Sequence, residues 1–92
     1  MPDFSMISQA QCRRSLADGA LLIDVRSHQE FARGHLPGSI SLPLERLSGR
    51  IKALAPDPGQ SLLLYCTSGE RSRTAAQVLR RLGYTRLYIV IP

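Results

Sequence analysis

The chain has 92 residues, 43% of them apolar and 21% charged, and its net charge of +5 comes mostly from arginine, Lys52 being the only lysine. This length supports one core, so residues 1–92 read as a single domain, and no apolar run approaches the roughly 18 residues of a membrane span. The arginines are scattered, with no basic run and no interleaved aromatics, which argues against a nucleic-acid partner and leaves a field mildly favourable to small anions.

The opening MPDFSMISQAQ has neither the basic start nor the apolar segment of a secretory signal and points to the cytoplasm. Phe4 to Ile7 is the first expected strand. Ser8 and Gln11 then form a capping box, Ile7 can staple onto Cys12, and Gly19 closes the helix. Cys12 shares a helical face with Leu16, which gives it a packing role. Leu21 to Val25 is the second strand. A second capping box, Ser27 with Glu30, opens a short helix that Gly34 can end, and Arg26 with Glu30 reads as an ion pair fixing this turn. His35, inside GHLPG, reads as a hydrogen-bonded structural histidine.

Ser39 to Leu42 is the third strand. Leu44, Leu47, Ile51 and Leu54 recur at helical spacing up to Pro56, although Gly49 weakens the middle, and PDPG at 56–59 is a turn. Leu62 to Cys66 is the fourth strand. Ala75, Val78, Leu79 and Leu82 fall on one face of a helix with Gly83 as its cap, and Leu87 to Ile91 is the fifth strand. Continuous runs such as LLID and LLLYC suit strands buried on both faces. Their alternation with helices predicts the α/β class, with a mostly parallel sheet covered by helices.

Two cysteines are too few for a disulfide framework, so the question is which thiol reacts. Cys66, in YCTSGERSRTAA, sits where a strand feeds into a helix, the position at which open parallel sheets bind ligands. Thr67, Ser68, Gly69 and Glu70 can curl around the sulfur with amides inward, and Arg71 and the helix terminus favour the thiolate. Ser72 can cap the helix or donate to a bound group. Free cysteine is also among the most buried residue types, so a core role is the competing reading of Cys66 taken alone.

CTSGERS resembles the active-site loop of single-domain rhodaneses, the thiosulfate sulfurtransferases, and LLIDVRSHQEFARGHLPGSISLP resembles their second signature. The resemblance implies a three-layer α/β/α rhodanese-like fold with a five-stranded parallel sheet in the order 3-2-4-5-1. It assigns Cys66 as the catalytic nucleophile holding sulfur as a persulfide, Thr67, Ser68, Gly69, Glu70 and Arg71 as the substrate-binding cradle, and Ser72 as the hydroxyl after it. It implies a small sulfur donor such as thiosulfate, a thiol, cyanide or protein acceptor, no metal and no cofactor. The family usually continues past the last strand with a Gly-Gly turn and a tryptophan-containing helix. This chain has no tryptophan and reads YIVIP there, which predicts exposed apolar surface around the last strand and with it truncation, self-association or marginal stability; the expected state is a monomer or weak homodimer.

Three other readings compete. A cysteine phosphatase or arsenate reductase also uses cysteine, amides and arginine, but with five residues between cysteine and arginine. The four found here make a ring better suited to one sulfur than to a tetrahedral oxyanion. The others are a rhodanese-like module that only binds a partner and a sulfur carrier serving proteins. Glu70 places a carboxylate in the loop, which affects steering if it points outward and raises the thiolate pKa if it points inward.

Overall fold

A computed structural model describes residues 4–92. The elements run β1 (Ser5–Ile7), α1 (Gln9–Ala17), β2 (Leu21–Asp24), α2 (His28–Ala32), β3 (Ser39–Ser41), α3 (Leu44–Leu54), β4 (Leu62–Tyr65), α4 (Glu70–Arg81) and β5 (Leu87–Val90). The sheet order is β1-β5-β4-β2-β3 and every pairing is parallel. This is the expected 3-2-4-5-1 order, with strand limits within a residue of those read from the sequence.

Side-chain alternation along the strands divides the core between two faces. Ile23, Leu62, Leu64 and Leu87 face Leu47 and Ile51 of α3 and Ala75, Ala76 and Leu79 of α4. Leu22, Leu63 and Val90 point the other way, against Cys12 of α1. Helices therefore cover both faces, and the apolar runs LLID and LLLY follow from that double burial.

The local signals hold at both capping boxes: Ser8 and Gln11 exchange bonds at the start of α1, and Ser27 and Glu30 do so at α2. α3 continues unbroken through Gly49, because Leu47 and Ile51 are wholly buried and their packing offsets a propensity cost of about 1 kcal/mol. The expected apolar surface around the last strand lies at its margins. β5 itself is covered between β1 and β4, with Ile89 and Val90 unexposed, and the large exposed apolar residues among those described are Met6, opposite Ile89 on β1, and Ile91, just past β5.

No helix among the described residues is long and apolar enough to cross a membrane. The parallel strands bring the loops after β2 and β4 side by side, since these strands are direct neighbours with Asp24 opposite Tyr65. That adjacency builds the site.

Candidate active site

Cys66 directly follows β4 and has no exposed surface. Its sulfur is nonetheless in a polar setting. The Gly69 N–H donates to Sγ at 3.0 Å and the Ser72 N–H donates at 3.4 Å. A cysteine used only as core filling meets carbon on its inner sides; two amides directed at one sulfur form an anion-holding nest.

The turn that makes this nest depends on Gly69, the residue before α4, whose φ is +81°. This left-handed conformation carries little cost for glycine and folds the chain back within a few residues of Cys66. The first amides of α4 lack intrahelical partners and carry partial positive charge, so the helix start adds to the field on the sulfur.

Burial pushes the Cys66 thiol up, but the Ser72 hydroxyl and the amides of Ser72, Gly69 and Ser68 outweigh it and hold the thiol below its ordinary value. The Ser72 hydroxyl is wholly buried and makes no hydrogen bond of normal geometry among the described residues. It stands beside the sulfur as an uncommitted donor, and it counts toward holding the thiolate when its O–H turns that way. Cys12 is the opposite case. It packs with Ile7, Ala20 and Leu22, and burial raises its thiol, with only partial relief from Arg13.

The structure places the other loop residues unevenly. Thr67, Ser68 and Glu70 are exposed, and the amides of Thr67, Glu70 and Arg71 make no hydrogen bond to the sulfur. Glu70 occupies the solvent side of the first turn of α4, so its carboxylate acts on steering and on the helix dipole. Ser72 does not cap α4, since Gly69 holds that position with no side-chain bond.

The arginines divide. Arg71, expected as a charge that favours the thiolate, does interact electrostatically with Cys66 and is held in place by Glu30, its Nη1 and Nη2 donating to Oε1 at 2.7 Å and Oε2 at 2.9 Å. The expected Arg26–Glu30 pair is absent. Arg26 turns to buried Asp24, with Nη2 to Oδ2 at 2.8 Å and Nε to Oδ1 at 3.0 Å, and Nη2 also donates to the Gly34 carbonyl at 2.7 Å. The physical reason is burial: Asp24 has no exposed surface and must be matched, and Arg26 is two residues away with its guanidinium 5.3 Å from the centre of the Tyr65 ring.

Glu30 keeps its expected place in the α2 capping box, but its ion-pair partner is Arg71 and not Arg26. Sequence separation hides its partner; the available signal was the adjacency of β2 and β4, which brings residues 26–30 against residues 66–71. Arg71 first, and then the Ser27 N–H, hold its carboxyl down at about 2. His35 meets its structural expectation, with Nδ1 2.9 Å from the Phe31 carbonyl and its ring stacked on Phe31 at 3.7 Å. No group of three histidine, cysteine, aspartate or glutamate side chains is arranged to hold a metal among the described residues.

The Rhodanese-like domain family matches residues 8–91 of the chain. The thiosulfate sulfurtransferase PspE of Escherichia coli (strain K12) is 34% identical over 65 residues, covering 71% of this chain and 62% of its own length. The uncharacterized protein YqhL of Bacillus subtilis (strain 168) is 42% identical over 69 residues, covering 75% of this chain and 53% of its own length. The chain thus spans less than two thirds of the length of either relative. The structure of the human single-domain sulfurtransferase TSTD1 superposes with a TM-score of 0.79 at 32% identity, covering 98% of this chain and 88% of that one.

Proposed function

The chain belongs to the rhodanese family, and we propose that it is a sulfurtransferase in which Cys66 passes a sulfane sulfur from thiosulfate or another persulfide donor to a thiol or cyanide acceptor. The observation that carries this reading is the pair of backbone N–H groups, from Gly69 and Ser72, directed at a thiol that burial alone would keep protonated.

The Cys66 thiolate attacks the outer sulfur of thiosulfate. A new S–S bond forms, the old one breaks, and sulfite leaves with the bonding pair, so Cys66–S⁻ becomes Cys66–S–S⁻. An acceptor thiolate or cyanide then attacks the terminal sulfur and the Cys66 thiolate departs. The amides of Thr67, Glu70 and Arg71, which the resting sulfur does not use, are the donors that receive the second sulfur. Both half-reactions are displacements at sulfur, and the low thiol pKa removes the need for a neighbouring base. Because Cys66 has no exposed surface, the exposed Thr67–Ser68 side of the loop must yield for a donor to reach it.

A sulfur carrier whose donor and acceptor are proteins uses the same chemistry and the same residues. Chain 1–92 acting as a single domain, cytoplasmic, and a monomer or weak homodimer, belongs to the same proposal. Steady-state turnover with thiosulfate and cyanide tests it. The expected result is sulfite and thiocyanate release with parallel double-reciprocal lines, abolished in Cys66→Ser. Release of phosphate from a small aryl phosphate without sulfur transfer would favour the phosphatase reading, and folded protein that never takes up sulfur would favour a binding module.

A further inference from the structure

β3 is an edge strand of the sheet, and a groove of about 350 Å³ runs between it and α3. Ile40 and Leu42 form its strand side, Ala53 and Leu54 its helix side, and Arg50 stands at its rim. Ile40 and Leu54 are only half-buried, so apolar surface faces water there. Arg46 lies one turn before Arg50 on the same side of α3. Both are exposed, and neither has a carboxylate partner among the described residues. Arginines four residues apart repel and weaken a helix, and Arg46 also sits in the first turn, where the macrodipole disfavours a cation. Glu45, the one carboxylate of α3, points to a different side because adjacent helical residues do not share a face. The helix therefore carries a cost that no ion pair among the described residues offsets.

We propose that this groove docks an acidic, extended segment of a protein with which Cys66 exchanges sulfur. Apolar side chains of the segment enter between Ile40 and Leu54, and its carboxylates pair with Arg46 and Arg50. β3 is three residues long, so the main-chain bonds it can add are few, and affinity comes from the apolar floor and the two charges. One end of the groove lies beside the site. The Leu42 N–H donates to the Asp24 carbonyl at 2.9 Å and the Leu44 N–H to the Val25 carbonyl at 3.1 Å, so that end meets the loop after β2. β2 lies between β3 and β4, and Cys66 follows β4, which puts the sulfur two strand spacings, about 10 Å, from the end of β3. About three extended residues of the partner span that gap. The proposal rests on the sulfurtransferase reading of Cys66 and adds the partner. The step is Cys66–S–SH + R–S⁻ → Cys66–S⁻ + R–S–SH: the partner thiolate attacks the terminal sulfur, and Cys66 leaves with the electron pair of the broken S–S bond.

The probes are two peptides of alternating glutamate and valine, one ending and one beginning with cysteine. Binding is read by fluorescence anisotropy, and sulfur received from the Cys66 persulfide by intact mass. At low salt a Kd on the order of 100 μM is expected, weakened about tenfold in Arg46→Glu and in Arg50→Glu, where an attraction becomes a repulsion. Ala53→Glu, which puts a carboxylate into the groove, should weaken binding to a similar degree. Arg81→Glu makes the same change of net charge on α4 and should stay within about twofold, because its charge is distant and screened. These positions are all exposed, so thermal melts should match the wild type. Sulfur transfer to at least one glutamate peptide should exceed transfer to its lysine counterpart by about tenfold. Arg46→Glu and Arg50→Glu should lose that preference while transferring sulfur to 2-mercaptoethanol at the wild-type rate. No binding at millimolar peptide, equal weakening by Arg81→Glu, or binding with no preference in transfer overturns the proposal. A dimer in sedimentation that Ala53→Glu dissolves would assign the groove to a second copy and overturn it as well. Protein that never takes up sulfur defeats the reading of Cys66 itself, and the binding measurement then judges the groove alone.

Discussion

Glu30 and Arg71, 41 residues apart, meet in a bidentate pair at 2.7 and 2.9 Å that ties the start of α2 to the first turn of α4. The same carboxylate closes the α2 capping box through Ser27. One side chain therefore fixes the short helix after β2 and the helix whose start faces Cys66.

The first prediction concerns acid. The Glu30 carboxyl lies at about 2 instead of an ordinary 4.5, so its contribution to stability is fully present above 4.5 and is lost as pH falls toward 2. Thermal melts across that window should show a steeper loss of Tm in the wild type than in Glu30→Ala. Identical slopes would mean that the pair does not persist in solution.

Ser72→Ala separates the hydroxyl from the amide. Losing the hydroxyl should raise the Cys66 thiol pKa, seen as a shift to higher pH in the rate of alkylation by a small neutral reagent. Stability should change little, because the substitution removes a buried hydroxyl that has no hydrogen-bond partner of normal geometry. An unshifted profile would leave the backbone amides as the whole source of the thiolate's stabilisation.

Gly69→Ala isolates the conformational requirement. Nothing lies within 4 Å of a methyl placed there, so its cost comes from the positive φ and amounts to about 1–2 kcal/mol by chemical denaturation. Relaxation of the strain moves the Gly69 amide off the sulfur, so sulfur uptake should slow in the same variant. Full activity with the stability loss would detach the amide from function.

Tyr84→Phe tests the scaffold away from the site. The buried Tyr84 hydroxyl donates to the Ala55 carbonyl just past α3, joining the end of α4 to α3. Its loss strands a carbonyl at a cost of about 1–3 kcal/mol. Denaturant midpoints should fall while the pH profile of Cys66 alkylation stays in place.

Much of the fold is legible because local signals agree with the global pattern. The two capping boxes, the glycines after the helices and the apolar strands all point to the same alternation of strand and helix. The position of Cys66 at a strand-to-helix junction is legible for the same reason. The pairing of the arginines is not. Arg26 and Glu30 sit four residues apart and invite a local pair, whereas the structure gives Arg26 to Asp24 because a fully buried carboxylate has the stronger claim. Glu30 then takes Arg71, a contact set by neighbouring strands and invisible to spacing along the chain. Ser72 similarly looks like a helix cap until Gly69 takes that position and leaves the hydroxyl buried beside the sulfur.

The most direct test is intact mass after incubation with a sulfane-sulfur donor, thiosulfate or 2-hydroxyethyl persulfide, for the wild type, Cys66→Ser and Cys12→Ser. The predicted result is one added sulfur in the wild type and Cys12→Ser and none in Cys66→Ser. An adduct that survives in Cys66→Ser, or disappears only in Cys12→Ser, would contradict the assignment of Cys66 as the sulfur-carrying thiol.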